Sequence, residues 1–229
     1  MAYLKTWLGL GLMAIAIMSL STPPGWADDQ AKATALVDKA RLSFNDLAAD
    51  PNLTWLRNNL KTAKGILLVP EQFKAGFIFG GSGGSGVLLA RDGNGAWSQP
   101  AFYGMGAGSV GFQIGAQVAE VALLIMTKKG VDALLSANVK LGGDISVAAG
   151  PVGAGAQVAT ADILAFARTK GLFGGVSVEG SVIGPRHALN RAYYGREASP
   201  VDILIRRDVK NEHATELVAA VTKMSQASP

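Results

Sequence analysis

The chain has 229 residues, 21 Lys and Arg against 17 Asp and Glu, a formal net charge of +4, and no cysteine. That length buries one substantial core, and the missing cysteines exclude disulfides, thiolate metal sites and a lipid-carrying cysteine, so any membrane contact must be non-covalent. The mildly basic balance permits attraction to an anionic surface, whereas the dense basic stripe with interleaved aromatics that nucleic acid requires is missing.

Residues 1–27 read as an export signal. Lys5 is the positive n-region, Trp7 to Leu20 is uncharged and apolar, and Gly25-Trp26-Ala27 offers small residues ahead of Asp28-Asp29. The apolar stretch is shorter than the roughly 20 residues of a bilayer span, so cleavage is expected after Ala27. Losing Lys5 takes 21 basic residues to 20 against 17 acidic ones, a balance of +3. The expected location is periplasmic or secreted, peripheral on a membrane. Residues 28–229 are expected to form one domain, with N-terminal helices over 29–61, a β-rich core over 64–183 and C-terminal helical segments over 185–224.

From Asp29 to Ala49, Leu36, Val37, Ala40, Phe44 and Leu47 recur at helical spacing among charged residues, which predicts an amphipathic helix packed on the rest of the fold. Asp50-Pro51 is an N-cap followed by proline at the first helical position, opening a second helix to about Lys61. Short apolar segments then alternate with glycine: Ile66 to Val69, Ala75 to Phe79 and Gly86 to Arg91 read as strands. Asp92-Gly93-Asn94-Gly95 is a hairpin turn leading to a strand around Trp97. Val118 to Met126 fits strand or helix, and Lys128 to Ser136 reads as a helix with Val131, Leu134 and Leu135 inward. Strands are expected at Val139 to Ala148, Gly153 to Ala159, Ile163 to Arg168 and Val176 to Ile183, a short helix at Pro185 to Tyr194, and a terminal helix at about Asn211 to Met224. With 29 glycines, many inside strand-like segments, the fold class is α+β: curved, glycine-rich antiparallel sheets, a sandwich or partial barrel, packed against terminal helices.

Catalytic motifs fail on their context. Gly81-Ser82-Gly83-Gly84-Ser85-Gly86 fits a dinucleotide fingerprint but precedes a strand, and Gly106-Ala107-Gly108-Ser109-Val110-Gly111 lacks an alternating βα pattern. Gly80-Gly81-Ser82-Gly83-Gly84 fits a nucleophile elbow without the strand-to-helix turn that presents the serine. His187 and His213 are the two histidines, both expected at the surface, so neither a base nor an imidazole metal site is predicted, and no cofactor. Glu179, two residues from Ser177, is a candidate base on a strand, or a carboxylate in a hydrogen-bonded network paired with Arg168 or Lys170.

The glycine-punctuated blocks carry a resemblance. Lys64-Gly65, Ala96-Trp97-Ser98-Gln99-Pro100, Gly111-Phe112-Gln113-Ile114-Gly115, Ala149-Gly150-Pro151-Val152-Gly153, Lys170-Gly171-Leu172-Phe173 through Glu179-Gly180, and Tyr193-Tyr194-Gly195 resemble, in order and spacing, the SYLF domain, also called the Ysc84 actin-binding domain. The likeness runs from about Val37 to Gly195. It implies a non-enzymatic lipid-binding module, with the motif residues mainly structural and an anionic phospholipid or membrane surface as the partner. Among SYLF proteins the chain resembles stand-alone exported bacterial members. The alternative is a structural or protein-interaction domain of the cell envelope, with a protein partner and no lipid specificity. On the lipid reading, Lys61, Lys64, Lys74, Arg168 and Lys170 are the candidate head-group ligands, with Gly65 and Gly171 offering backbone N–H groups to one phosphate site. Lys64 and Lys170, each directly before a motif glycine, are foremost.

Overall fold

The computed structural model describes residues 24–76, 79–110, 115–136, 138–149, 161–169, 172–173 and 178–227. Helix α1 spans Pro24–Ala49, starting five residues before the sequence pattern does. Its buried stripe of Ala33, Val37, Ala40, Phe44 and Leu47 steps by three and four, as one face of a helix must, and Leu36 is half-buried beside it. A 3-10 turn, Pro51–Leu53, leads into α2, Thr54–Leu60. Asp50 caps it as expected, its carboxylate accepting from the Asn52 backbone N–H at 2.8 Å.

Among the described residues nine strands follow: β1 Gly65–Gly76, β2 Phe79–Ala90, β3 Ala101–Val110, β4 Gly115–Ile125, β5 Val139–Lys140, β6 Val147–Ala149, β7 Ile163–Thr169, β8 Leu172–Phe173 and β9 Val182–Pro185. They form one sheet in the order β5-β9-β3-β2-β1-β4-β7-β6, with β8 on β7. The sheet curls into a half-barrel, and a bridge between Leu141 and Ile145 joins the segments beyond β5 and before β6. Pairing is antiparallel except for β6 and β7, which run parallel, a departure from the all-antiparallel expectation.

The short strands expected around glycine are continuous: β1 and β2 are each 12 residues long and pair over nearly their full length. Glycine weakens a strand without ending it when both neighbours supply ladder hydrogen bonds. The ambiguous Val118 to Met126 segment is strand, because β1 and β7 flank it. The Asp92–Gly95 turn forms, with Gly95 at φ 86°, but Trp97 makes only an isolated bridge to Arg91 and the next strand starts at Ala101. One feature escaped the sequence pattern. At Val69–Gln72, β1 carries an extra residue relative to both β2 and β4, a bulge that reverses which face later side chains take.

The sheet separates two cores. Ile66, Leu68, Val87, Leu89, Phe102, Ala122, Leu124, Leu164 and Phe166 face α1, α2, α4 (His187–Tyr194) and α5 (Thr215–Gln226). The opposite, inner face carries Leu67, Val69, Leu88, Tyr103, Met105, Val121, Leu123 and Ile163, closed by Leu134 of α3 (Lys128–Leu135), Leu141, Ile145, Ile203 and Leu204. Ile203 and Leu204 belong to a π-helical turn, Asp202–Arg206, also missed in the sequence. Leu217 and Val221 point inward as expected, with Val218 and Met224 half-buried. Val139 to Ala148 is two short strands around a turn, and the strand expected from Val176 begins at Val182. The strand expected at Gly153 to Ala159 lies outside the described residues. Among the described residues, no helix is long and apolar enough to cross a membrane.

Candidate functional site

The motif residues within the described chain hold elements together. Trp97 is buried and donates its indole N–H to Ser225 Oγ at 3.0 Å, tying the post-turn segment to α5. Tyr194 donates to the Pro100 carbonyl at 2.7 Å, and Gly195 ends α4 in the left-handed conformation, φ 68°, that glycine adopts freely. A Cβ on Gly65 would come within 3.1 Å of the Leu89 carbonyl oxygen, so β1 starts in close contact with β2. Gly115 opens β4, and Leu172 and Phe173 form β8. Gly111, Phe112, Gln113, Gly150, Pro151 and Gly171 lie outside the described residues.

Glu179 departs from expectation. It is exposed in a turn, not on a strand, and its side chain lies over Gly142, where an added Cβ would meet Glu179 Cγ at 2.5 Å. Gly180 completes the turn at φ 81°. The expected partner Arg168 instead binds Glu120, with Asp46 at 3.4 Å. His213 lies at the surface as expected, but with partners. Its Nε2 is 3.1 Å from Asp38 of α1 and its Nδ1 is 3.2 Å from the Tyr193 hydroxyl, so it links the first helix to the last. Burial raises the Tyr193 and Tyr194 hydroxyls above the ordinary range.

The four candidate cations among the described residues do not gather at one phosphate. Lys61 and Lys64 precede β1, whereas Lys74 lies ten residues beyond Lys64, about 33 Å along an extended strand. Arg168, on β7, is committed to Glu120 and Asp46. Lys170 lies outside the described residues. Lys61, Lys64 and Lys74 have no acidic partner within the described residues.

Lys74 sits at the glycine-rich end of the sheet, where β1 to β4 run beyond the helices. Past the bulge, Lys74 takes the inner face, paired across the sheet with Ser82 and Gln117. One row nearer the core, Gln72 is 5% exposed and its Oε1 has no hydrogen-bond partner among the described residues. Two further cations, Lys140 and Arg186, stand at this end. Lys140 pairs with Val182 at the β5 edge, and Arg186 donates to Ser85 Oγ at 2.6 Å. Neither has a carboxylate partner among the described residues, and neither was singled out in the sequence, because their motif-free surroundings hide a proximity that only the strand order β5-β9-β3-β2-β1 creates.

Elsewhere, Asp162 is a buried carboxylate that accepts from Ser146 Oγ and Thr127 Oγ1, both at 2.7 Å, with Lys129 at 3.4 Å. The Ser146 and Thr127 hydrogen bonds hold its pKa at about 2, below the usual 3.8. It is a structural clasp between α3, β7 and the strand before it. Among the described residues, no three histidines and carboxylates gather to hold a metal ion.

Comparison with known proteins places this architecture. The model of the Ysc84 family, described as Las17-binding protein actin regulator, matches residues 106–224. LAS seventeen-binding protein 3 of Saccharomyces cerevisiae is 38% identical over 153 residues, covering 63% of this chain and 33% of the yeast protein. SH3 domain-containing YSC84-like protein 1 of Bos taurus is 32% identical over 170 residues, 70% of this chain and 50% of the bovine one, and its human counterpart is 35% identical over 148 residues. The chain thus spans about a third of the yeast relative and half of the bovine one. With more than half its length matched by the family model, and glycine blocks holding the strands where that likeness begins, the chain belongs to the Ysc84, or SYLF-domain, family.

Proposed function

We propose that the chain is a non-enzymatic module that binds anionic phospholipid at a membrane surface through the glycine-rich end of its sheet. The observation that carries this reading is the arrangement of Lys74, Lys140 and Arg186, three cations without carboxylate partners among the described residues, at one end of the molecule. A cation near an anionic surface contributes about 1 kcal/mol, so three give about 3 kcal/mol, enough for reversible, salt-sensitive adsorption. A head group that offers a phosphoryl oxygen to Lys74 and a hydroxyl or ammonium donor to Gln72 Oε1 matches the inner face of that end. Export of the chain, by the leader over residues 1–27, would put this surface against an envelope membrane.

Co-sedimentation of protein lacking residues 1–27 with phosphatidylcholine and with phosphatidylglycerol-containing vesicles, at low and high salt, tests the proposal. The expected result is binding to the anionic vesicles alone, lost at high salt. Binding should fall in Lys74→Glu combined with Lys140→Glu and Arg186→Glu, and persist in Lys61→Glu combined with Lys64→Glu at the other end. Equal loss in both variants would remove the glycine-rich end from the reading.

The second reading is a protein partner. The family description and the yeast relative's name both specify Las17 binding, which favours an adaptor role. Failure to bind any vesicle would transfer the proposal to that reading.

A further inference from the structure

The glycine-rich end has two unlike faces. Beyond the bulge, strand alternation turns Phe73 to the helix side of the sheet while Lys74 turns to the inner side. Following the register from edge to centre, one cross-strand row on the helix side reads Val182, Gly106, Gly83, Phe73, Val118, across β9, β3, β2, β1 and β4. The next row outward contains Gly108, Gly81 and Ala75. Among the described residues, neither row has a polar side chain.

No helix among the described residues covers these rows. Phe73 is 57% exposed, and Val118 and Val182 are each 41% exposed. A Cβ built on Gly83 or Gly108 would meet nothing within 4 Å. Helix α1 adds to the patch. Lys39 pairs with Glu71 on β1 and Asp46 with Arg168 on β7, so the seven-residue step from one to the other, about 10 Å of helix, crosses the two strand spacings over β4. Leu42, 55% exposed, therefore stands above β4 on the side of Val118. Four of the five large apolar side chains most exposed among the described residues thus share one surface.

Charge marks its boundary. The row nearer the core consists of Ser85 bound by Arg186, Glu71 bound by Lys39, and Glu120 bound by Arg168. At this belt Lys39 pairs with Glu71 and Arg168 is shared by Glu120 and Asp46, while Arg186, and Lys140 beside Val182, have no carboxylate partner among the described residues, which makes four cations against three carboxylates. An uncharged apolar surface with a net positive rim is complementary to an anionic bilayer. Ala75 lies four residues beyond Glu71, about 13 Å along the strand, which spans the interfacial depth of about 5–10 Å that apolar faces occupy. The sequence beyond continues without charge: Phe77-Ile78 links β1 to β2 and Gly111-Phe112-Gln113-Ile114 links β3 to β4.

We infer that the helix-side face of the glycine-rich sheet end, floored by Gly83, Gly106 and Gly108 and walled by Phe73, Val118 and Val182, enters the interfacial layer of an anionic bilayer. The inference rests on the lipid-binding reading above and adds apolar insertion to its surface charge. Glycine serves the insertion by keeping the floor flat, so the whole row lies in one plane.

The open glycines and the absence of cysteine supply the test. Gly83→Asp combined with Gly108→Asp places carboxylates where the structure has room for them, and Gly93→Asp makes the same kind of change in the open turn at the opposite end. Binding to phosphatidylglycerol-containing vesicles should weaken at least 10-fold in the double variant relative to Gly93→Asp. Phe73→Cys carrying a polarity-sensitive fluorophore should shift its emission to the blue on those vesicles, and the same label at Gly93→Cys should not. Sedimentation with vesicles but no shift at position 73 and equal affinities for the two aspartate proteins would overturn insertion while leaving lipid adsorption standing. No sedimentation of the parent protein would overturn both.

Discussion

Asp162 illustrates how a single carboxylate fastens three elements. Its oxygens accept from Ser146 and Thr127 and face Lys129, and Thr127 in turn caps α3 by accepting from the Gly130 N–H. The folded pKa of about 2 lies below the unfolded value near 3.8, so the stabilisation is complete above pH 3.8 and is lost as pH falls through 2. The difference corresponds to about 2 kcal/mol. Asp162→Asn should therefore lower urea stability by about 2 kcal/mol at pH 7, and the gap from the parent protein should close as the pH is taken from 4 to 2. A gap that stayed constant over that range would show that the contacts, not the charge, carry the effect. No spacing in the sequence announces this clasp, because Thr127, Ser146 and Asp162 meet only when β7 lies against β4 and β6.

At the scale of the strand, the glycines divide into those the fold requires and those it merely tolerates. A Cβ on Gly86 would lie 2.4 Å from the Leu68 carbonyl oxygen and 2.8 Å from Val69 Cγ2, directly opposite the β1 bulge, whereas one on Gly83 meets open space. Gly86→Ala should cost about 1–3 kcal/mol through crowding, and Gly83→Ala should be neutral or stabilise by a few tenths to about 1 kcal/mol by restricting the unfolded chain. Denaturant midpoints of the two proteins would check the contrast, and equal midpoints would contradict it. The sequence made the helices, the Asp92–Gly95 turn and the β-rich centre readable because periodicity and turn chemistry are local. It broke β1 because Pro70 through Lys74 interrupts the apolar alternation by which a strand is recognised, and β2 because Gly80 through Gly86 suppresses it. The head-group cations were misgrouped for a related reason. Adjacency to a glycine block says nothing about which end of a 12-residue strand a lysine occupies, and Arg168 gave no sign of Glu120, 48 residues away.

The molecule as a whole is one sheet shared by two cores, and that sharing has a mechanical consequence. Leu88 and Leu89 are neighbours on β2 with almost no exposure, yet Leu88 packs on the inner face and Leu89 under the helices. Leu88→Ala and Leu89→Ala should each cost about 2–5 kcal/mol, and each should move a single cooperative thermal transition detected alike by far-ultraviolet and tryptophan signals. Two separated transitions in either variant would mean that the cores melt independently. Truncating Leu217 or Val221 of α5 to alanine falls in the same class, since both are fully buried against α1's side of the sheet.

The extra residue at Val69–Gln72 makes the two halves of β1 independent in their sidedness. Deleting one residue there would remove the bulge and place Phe73 four residues from Leu68, so plain alternation would keep Phe73 on the helix side opposite Gly83 and Val118, and Lys74 on the inner side. The greasy and wet sides of the protruding end would thus survive a single lost codon at this place. The extra residue acts as slack in the chain, a place where length can change by one while the molecule turns the same side to whatever it meets.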